Sequence, residues 1–300
     1  MAKRALLGLA AAAGAGLVWG LAEAHAYTVR RYEVPVLPAG TRPVRILQLS
    51  DLHMTPSQRG KVAWVRSLAR ENVDAVITTG DNLAHVDAVP TVLEALEPLL
   101  DKPGAFVLGS NDYFGPHPKN PFTYFVSPTR VRRSPTVLPT GDLIAGLTGA
   151  GWVDLDNARG SLTAGGAVLD LVGLDDPHIG RDAMPAPADR PADADARIGV
   201  VHAPYRRALD LLSADGADLI LAGHTHGGQV CVPFYGALVT NCDLDTSRAS
   251  GLHGWPGVRP ESGGTGTYVH VSAGLGTSPY APVRFACRPE ASILTLVPRG

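Results

Sequence analysis

Neither sign of charge dominates this chain. Its 26 Lys and Arg face 28 Asp and Glu across 300 residues, so no basic field exists to hold nucleic acid by counter-ion release, and a nucleic-acid scaffold role is excluded. Cysteine is also scarce. Cys231, Cys242 and Cys287 are odd in number and lack the CxxC spacing of a zinc ribbon or redox motif. Any metal must therefore be held by His, Asp and Asn. Cys231 and Cys242 could pair outside the cytoplasm, but separation in sequence fixes no geometry. Aromatics make up only 6% while Gly (34) and Pro (25) are abundant, so tight connections between short elements are expected. With 45% hydrophobic residues the chain can bury a large core, which excludes disorder and a collagen-like repeat.

One long uncharged run stands at the N-terminus. Lys3 and Arg4 precede residues 5–22, eighteen without charge, enough for a helix about 27 Å long. This predicts a membrane helix in residues 1–26 with its basic end in the cytoplasm, or a signal segment cleaved near Ala24-His25-Ala26. The first leaves a membrane-anchored extracytoplasmic domain, the second a secreted one. A buried Ala/Gly-rich helix of the domain itself is the third reading. Residues 27–43 read as an edge strand and linker, and 44–300 as the main domain.

Strand-like runs at 44–50, 74–79 and 104–108 alternate with helical patterns at about 60–71 and 88–100. That order predicts parallel neighbours and right-handed crossovers. Runs at 152–156, 161–163 and 167–173 stand too close together for intervening helices and are expected to be antiparallel. The alternation resumes with strands at 196–201 and 218–222 around a helix at about 205–212, and strands at 229–232, 267–271 and 293–297 complete an α/β domain without repeats. Three stretches, 114–141, 176–195 and 249–266, read as irregular connectors or lids. The first carries Arg130, Arg132 and Arg133 near Phe122, Tyr124 and Phe125, either a solvated basic loop or the cover of an anion site.

Side chains able to bind metal track the ends of these strands. Asp51 and His53 follow 44–50, Asp81 follows 74–79, Asn111 and Asp112 follow 104–108, His202 ends 196–201, and His224 and His226 follow 218–222. In an open α/β sheet the carboxyl ends of strands face one crevice, so residues far apart in the chain converge there. Imidazole, carboxylate and amide donors suit Zn, Mn or Fe and suit calcium poorly. One tetrahedral ion takes about four protein ligands. The larger set here fits two ions about 3.5 to 4 Å apart if one carboxylate bridges, the spacing used for in-line displacement at phosphorus. Two divalent cations outweigh the charges of Asp51, Asp81 and a bridging hydroxide, leaving a positive site for a phosphate oxygen and a nucleophile at neutral pH.

Asp51-Leu52-His53, Gly80-Asp81, Gly109-Ser110-Asn111-Asp112, His202 and Gly223-His224-Thr225-His226, in this order within about residues 45–297, resemble the blocks of the calcineurin-like metallophosphoesterases. Three longer strings are similar to an exported or membrane-anchored branch with a GHTHGGQ motif: residues 49–53 (LSDLH), residues 223–229, and Gly274-Leu275-Gly276-Thr277 followed by Arg288-Pro289-Glu290. The resemblance implies an α/β fold of two mixed β-sheets packed as a sandwich with flanking helices. It also implies two divalent or mixed-valence transition-metal ions (Mn, Zn or Fe). Asp51, His53 and His226 would hold the first ion, Asp81 would bridge, and Asn111, His202 and His224 would hold the second.

The third block departs from the family, which usually has Gly-Asn-His followed by Asp or Glu, with Asn as ligand and His helping to protonate the leaving group. Ungapped, Ser110 falls on the Asn position and Asn111 on the His position. Asn111 is the better oxygen donor and is assigned to the metal by a one-residue shift, with Ser110 as the alternative. An amide cannot deliver a proton, so the general acid falls to Asp112, His117, His178 or none. The expected function is hydrolysis of a phosphomonoester or phosphodiester by a metal-bridging hydroxide, with Asp81, Asn111 and Asp112 as catalytic residues. The substrate would be a cell-envelope or lipid-linked phosphoester, or a nucleotide diester if the domain is released. The alternative is a metal-stabilised binding or scaffold protein that kept the ligands and lost turnover. His85, His253 and His270 read as surface or packing residues, and Tyr280 and Arg284 as possible substrate contacts.

Overall fold

The computed structural model describes residues 2–118, 134–262, 264 and 266–299. The first sheet contains Thr28–Leu37 (β1), Val44–Leu49 (β2), Ala75–Thr78 (β3), Gly104–Phe106 (β4) and Val153–Asp154 (β5). The second contains Arg159–Ala164 (β6), Ala167–Leu174 (β7), Ala196–Val201 (β8) and Leu219–Ala222 (β9). A separate hairpin pairs Cys231–Val232 (β10) with Gly236–Ala237 (β11). Gly251–Trp255 (β12) and Thr267–Val271 (β13) then join the second sheet, and Glu290–Pro298 (β14) returns to the first. The orders are β1-β14-β2-β3-β4-β5 and β12-β13-β9-β8-β7-β6. Both sheets are mixed: β2 to β5 and β13-β9-β8-β7 run parallel, while β14–β2, β12–β13 and β6–β7 are antiparallel.

Alternation along the strands produces the layers. In β2, Val44 and Ile46 join the core between the sheets with Leu169, Leu171, Ile198, Val200, Leu219 and Leu221, whereas Leu47 and Leu49 lie in the core beneath the helices. Arg59–Ser67 (α2) places Val62 and Val65 on one face, and Val89–Leu96 (α3) does the same with Val92 and Leu96. With Thr140–Gly149 (α5) they cover the first sheet. Arg206–Ala214 (α6) covers the second through Ala208, Leu209 and Leu212. Between them, the one-turn Ser110–Tyr113 (α4) opens the loop after β4. The two-sheet α/β architecture with outer helices is the one the sequence implied.

Two expectations are corrected. The run 152–156 is not antiparallel to its successors: β5 pairs parallel with β4, and only β6 and β7 form a hairpin. The cause is α5, which starts at the end of the stretch read as irregular, was not anticipated, and supplies the crossover that a parallel pair needs. The stretch 249–266 likewise hides edge strand β12. Residues 28–37 form the edge strand that was expected: β1 lies at one end of the first sheet and pairs along its length with β14.

Helix α1 (Ala2–Glu23) forms where a membrane helix was expected, yet among the described residues no helix is long and apolar enough to cross a membrane. The C-terminal end of α1 docks on the domain: Gly20 O accepts from Arg284 N at 3.0 Å, and the Glu23 carboxylate accepts from Cys287 N at 2.7 Å and Ala286 N at 3.1 Å.

Candidate metal centre

Five candidate ligands follow their strands with the backbone in the left-handed region: Asp51 (φ 51°), His53 (φ 42°), Asp81 (φ 56°), His224 (φ 69°) and His226 (φ 50°). Side-chain-bearing residues pay roughly 1–2 kcal/mol each for this conformation. The loops hold one another there. Asp51 N donates to Gly80 O and His53 N to Asp81 O, both at 2.9 Å, and Gly223 N donates to His202 O at 2.8 Å. Glycine permits the approach: a Cβ on Gly109 would strike Asp81 Oδ1, and one on Gly223 would strike the Ser50 hydroxyl.

The side chains converge as two groups. His53 Nε2 is 3.1 Å from His226 Nε2, which is 3.4 Å from Asp51 Oδ1. Asp81 faces both groups, with Oδ2 3.5 Å from His53 Nε2 and Oδ1 3.5 Å from His202 Nε2. His224 Nδ1 lies 3.3 Å from His202 Nε2. Asn111 sits against the shared carboxylate, donating from its side-chain amide to Asp81 Oδ2 and from its backbone to Oδ1, both at 2.7 Å. To bind a metal its amide would have to present oxygen instead. Ser110, the alternative ligand, borders the same cavity.

These residues fit cations. Three imidazoles place their outer nitrogen against a backbone carbonyl: His202 Nδ1 on Thr79 O (2.7 Å), His224 Nε2 on Asn241 O (3.1 Å) and His226 Nδ1 on Gly276 O (3.1 Å). A proton held there turns the other nitrogen's lone pair toward the cluster. Asp51 Oδ1 is buried with no hydrogen-bond partner. A cation would satisfy that oxygen and separate the facing nitrogens of His53 and His226. Ligand atoms of Asp51, His53 and His226 lie within 4.8 Å of one another, as do those of Asp51, Asp81 and His202.

Protonation follows burial and pairing. Burial pushes Asp51 up to about 6, partly opposed by the His202 charge, and lowers His53 to about 4. Burial also holds His224 and His226 well below the usual imidazole range, so these rings are neutral near pH 7. Burial alone would raise Asp81 and lower His202, but their mutual attraction outweighs it, leaving Asp81 well below and His202 well above its ordinary value. Metal binding there has to displace a proton.

Asp112 is placed differently from the catalytic role expected of it. Fully buried, its Oδ1 accepts from the backbone of Asn82 (2.7 Å) and Leu83 (3.2 Å), and its Oδ2 from Asp81 (2.8 Å) and Gly109 (3.0 Å). It clamps the β3 loop to the β4 loop. The reason is local: α4 turns Asn111 toward Asp81 and the next residue inward. A cavity of about 540 Å³ lies over the ligands, bordered also by His117, His178, Phe114 and Tyr280. His178 packs against a ligand, its ring 4.5 Å from that of His224, with Nδ1 3.0 Å from Tyr205 Oη.

Arg284 does not reach the cavity as expected. It is fully buried, and its guanidinium donates to the carbonyls of Ala273 (2.7 Å), Gly274 (3.1 Å), Gly276 (2.8 Å) and His226 (3.3 Å). It ties the late loop to the loop that carries His226. Gly276 N in turn donates to Asp51 O at 2.6 Å and Leu275 N to Ser50 O at 3.0 Å, so the Gly274-Leu275-Gly276 string was the signal for this support. Asn241, whose carbonyl orients His224, had no signal in the sequence. His85 is exposed, His253 is half-buried, and His270 packs in the core with Nδ1 2.7 Å from Gln48 Oε1. Arg130, Arg132 and Arg133 lie outside the described residues.

The profile of the calcineurin-like phosphoesterases matches residues 44–228. The uncharacterized metallophosphoesterase YkuE of Bacillus subtilis (strain 168) is 27% identical over 265 residues, covering 87% of this chain and 82% of that protein. An uncharacterized metallophosphoesterase of Aquifex aeolicus (strain VF5) is 26% identical over 289 residues, covering 93% and 95%. Among solved structures, TT1561 of Thermus thermophilus superposes with a TM-score of 0.40 at 12% identity over 78% of this chain and 91% of that one.

Proposed function

Because the chain belongs to the calcineurin-like phosphoesterase family, whose members are hydrolases acting on phosphoester bonds, we propose that it hydrolyses a phosphomonoester or phosphodiester with two divalent ions of the Mn, Zn or Fe type. The observation that carries this reading is Asp81, whose two carboxylate oxygens face two separate imidazoles at 3.5 Å each. Asp51, His53 and His226 would hold one ion and His202, His224 and Asn111 the other, with Asp81 shared. When bound, such ions polarise phosphoryl oxygens and lower the pKa of water enough to make it a nucleophile at neutral pH.

The chain's own contribution is positioning. The carbonyls of Thr79, Asn241 and Gly276 set the orientation of three imidazoles, and the Asp112 clamp fixes Asp81. Because Asp112 is engaged by backbone donors, proton delivery to a poor leaving group falls to His117 or His178 at the cavity wall. Leu17, Phe114, Val230, Leu238 and Val283 give that wall an apolar part, which supports a phosphoester attached to an apolar group, as in a lipid-linked or cell-envelope compound. An extracytoplasmic location held at the membrane through the N-terminal segment belongs to the same proposal. The Glu23 contacts with Ala286 and Cys287 favour retention of that segment over cleavage and release.

The altered Gly109-Ser110-Asn111-Asp112 block supports a second reading, a metal-stabilised scaffold without turnover, since Asn111 has no proton to give and Asp112 is engaged by four backbone donors. Metal analysis and hydrolysis of bis(p-nitrophenyl) phosphate and p-nitrophenyl phosphate with Mn or Zn separate the two. The enzyme reading expects two metal equivalents and turnover that Asp81→Asn abolishes while the far-ultraviolet circular dichroism is kept. A native rate in Asp81→Asn would remove the bridge, and no rate above metal alone across several metals would leave the scaffold.

A further inference from the structure

We propose that Cys231 and Cys287 form a reversible dithiol–disulfide pair that acts on the loop carrying His226. The segments that hold them run side by side: Cys231 N donates to Phe285 O at 2.8 Å, Phe285 N donates to Gln229 O at 3.0 Å, and Val230 and Phe285 form a parallel bridge. Both thiols donate to the same carbonyl, Gly227 O, from 3.1 Å for Cys231 and 3.5 Å for Cys287, and they are within hydrogen-bonding reach of each other. Cys287 Sγ also donates to His226 O at 3.2 Å.

Cys242 is not the partner that the sequence suggested. It packs with Leu244 and Trp255 in the core outside the second sheet, whereas Cys231 and Cys287 share a separate cluster with Ala237 and Ala249. Access is available as well. A second cavity, of about 800 Å³ and larger than the one over the ligands, is bordered by both thiols together with Tyr235, Ser250 and Arg288. It carries none of the proposed ligands' side chains, which separates it from the hydrolytic site.

A small disulfide such as oxidised glutathione supplies the chemistry. One protein thiolate attacks a sulfur of the oxidant and expels a glutathione thiolate; the second protein thiolate then displaces the remaining glutathione. The oxidant's S–S bond breaks, the Cys231–Cys287 S–S bond forms, and the two thiol protons end on two glutathione molecules. Closure also removes the S–H donors from the His226 and Gly227 carbonyls. Loss of support behind a ligand weakens metal binding roughly 10-fold. This last consequence rests on the dinuclear reading, while the thiol chemistry does not.

The test uses the full chain, reduced and then equilibrated with oxidised glutathione. Titratable thiols should fall from three to one, the intact mass by about 2 Da, and peptide mapping should join Cys231 to Cys287. Cys242→Ser should cross-link in the same way, whereas Cys287→Ser and Cys231→Ala should not. Unchanged thiols, a stable glutathione adduct without closure, or a cross-link through Cys242 would overturn the pair. Mn²⁺ titration of the reduced and cross-linked forms reads the second part: equal affinities would overturn the link to His226, and no Mn²⁺ binding by either form would instead count against the metal centre.

Discussion

Replacing Asp112 by Asn separates a clamp from an acid. Burial and the charge of Asp81 push the Asp112 carboxyl up to about 7, yet its four backbone partners are all N–H donors, two to each oxygen. Only the ionised group accepts on both oxygens, so the comparison belongs at about pH 8, above that value. Asn puts an NH₂ where one oxygen stood, opposite two backbone N–H groups that had donated to it. Each buried donor left unpaired costs about 1–3 kcal/mol, for a total of roughly 2–5 kcal/mol after some relaxation. Urea unfolding of the metal-free protein, followed by circular dichroism, should show a lower midpoint with an unchanged slope. Mn²⁺ affinity should fall together with stability, because the clamp positions Asp81. A wild-type midpoint and wild-type affinity combined with lost turnover would refute this reasoning and return Asp112 to the role of proton donor.

Chelation should lower the melting temperature, because it leaves Asp51 Oδ1 without a partner and the His53 and His226 nitrogens opposed. At metal about 100-fold above its Kd the lost binding is worth about 2.7 kcal/mol, or roughly 5–10 °C by calorimetry, and Mn²⁺ should restore it. Burial lowers His270 to about 3, while the unfolded chain takes up that proton near pH 6.5 (about the free-imidazole value). The contribution is therefore complete above about pH 6.5 and is lost as pH falls toward 3; His270→Gln should flatten the stability slope between about pH 6 and 4 by up to about 1.4 kcal/mol per unit in urea titrations. Gly109→Ala should lower Mn²⁺ affinity by roughly 10-fold or more in calorimetric titration, since the new methyl group meets Asp81 Oδ1; native affinity would show that the close approach is not required.

The ligand set was legible because strand and strand end are local signals. Short β-rich runs stop at Gly or polar residues, and in an α/β sheet such stops share one crevice, so Asp51, Asp81, His202 and His224 could be placed together without contact information. Direction of the side chain was not legible. Asn111 and Asp112 are neighbours of similar shape, and only the turn of α4 decides that one meets Asp81 while the other is buried beneath it. Sheet membership was equally hidden for β5, because two residues carry no pattern and their parallel pairing depends on α5, most of which lies in residues 142–149, where no element was expected. Arg284 failed for a different reason. A buried cation that donates to carbonyls has no partner of opposite charge in the sequence to announce it.

Left-handed conformations at the five ligands together cost about 5–10 kcal/mol, as much as the net stability of many domains. Such strain survives only where the surroundings over-determine it, and the loops are over-determined here. Asp51 is fixed from both sides, its N–H donating to Gly80 O and its carbonyl accepting from Gly276 N. His53 and Asp81 are joined through the backbone, Asp81 is held again by Asp112, and His226 is held by Arg284. The two-sheet core stabilises a geometry that its own ligands disfavour. What the strain secures is aim: each left-handed residue turns the chain at its strand end, so that Asp51 with His53 and His224 with His226 bear on one cluster in place of running on along their strands. With the backbone already aimed, the arrival of a cation asks only for side-chain adjustment, the turn of the Asn111 amide and the loss of the His202 proton, so the backbone cost is met during folding and does not weaken the binding step.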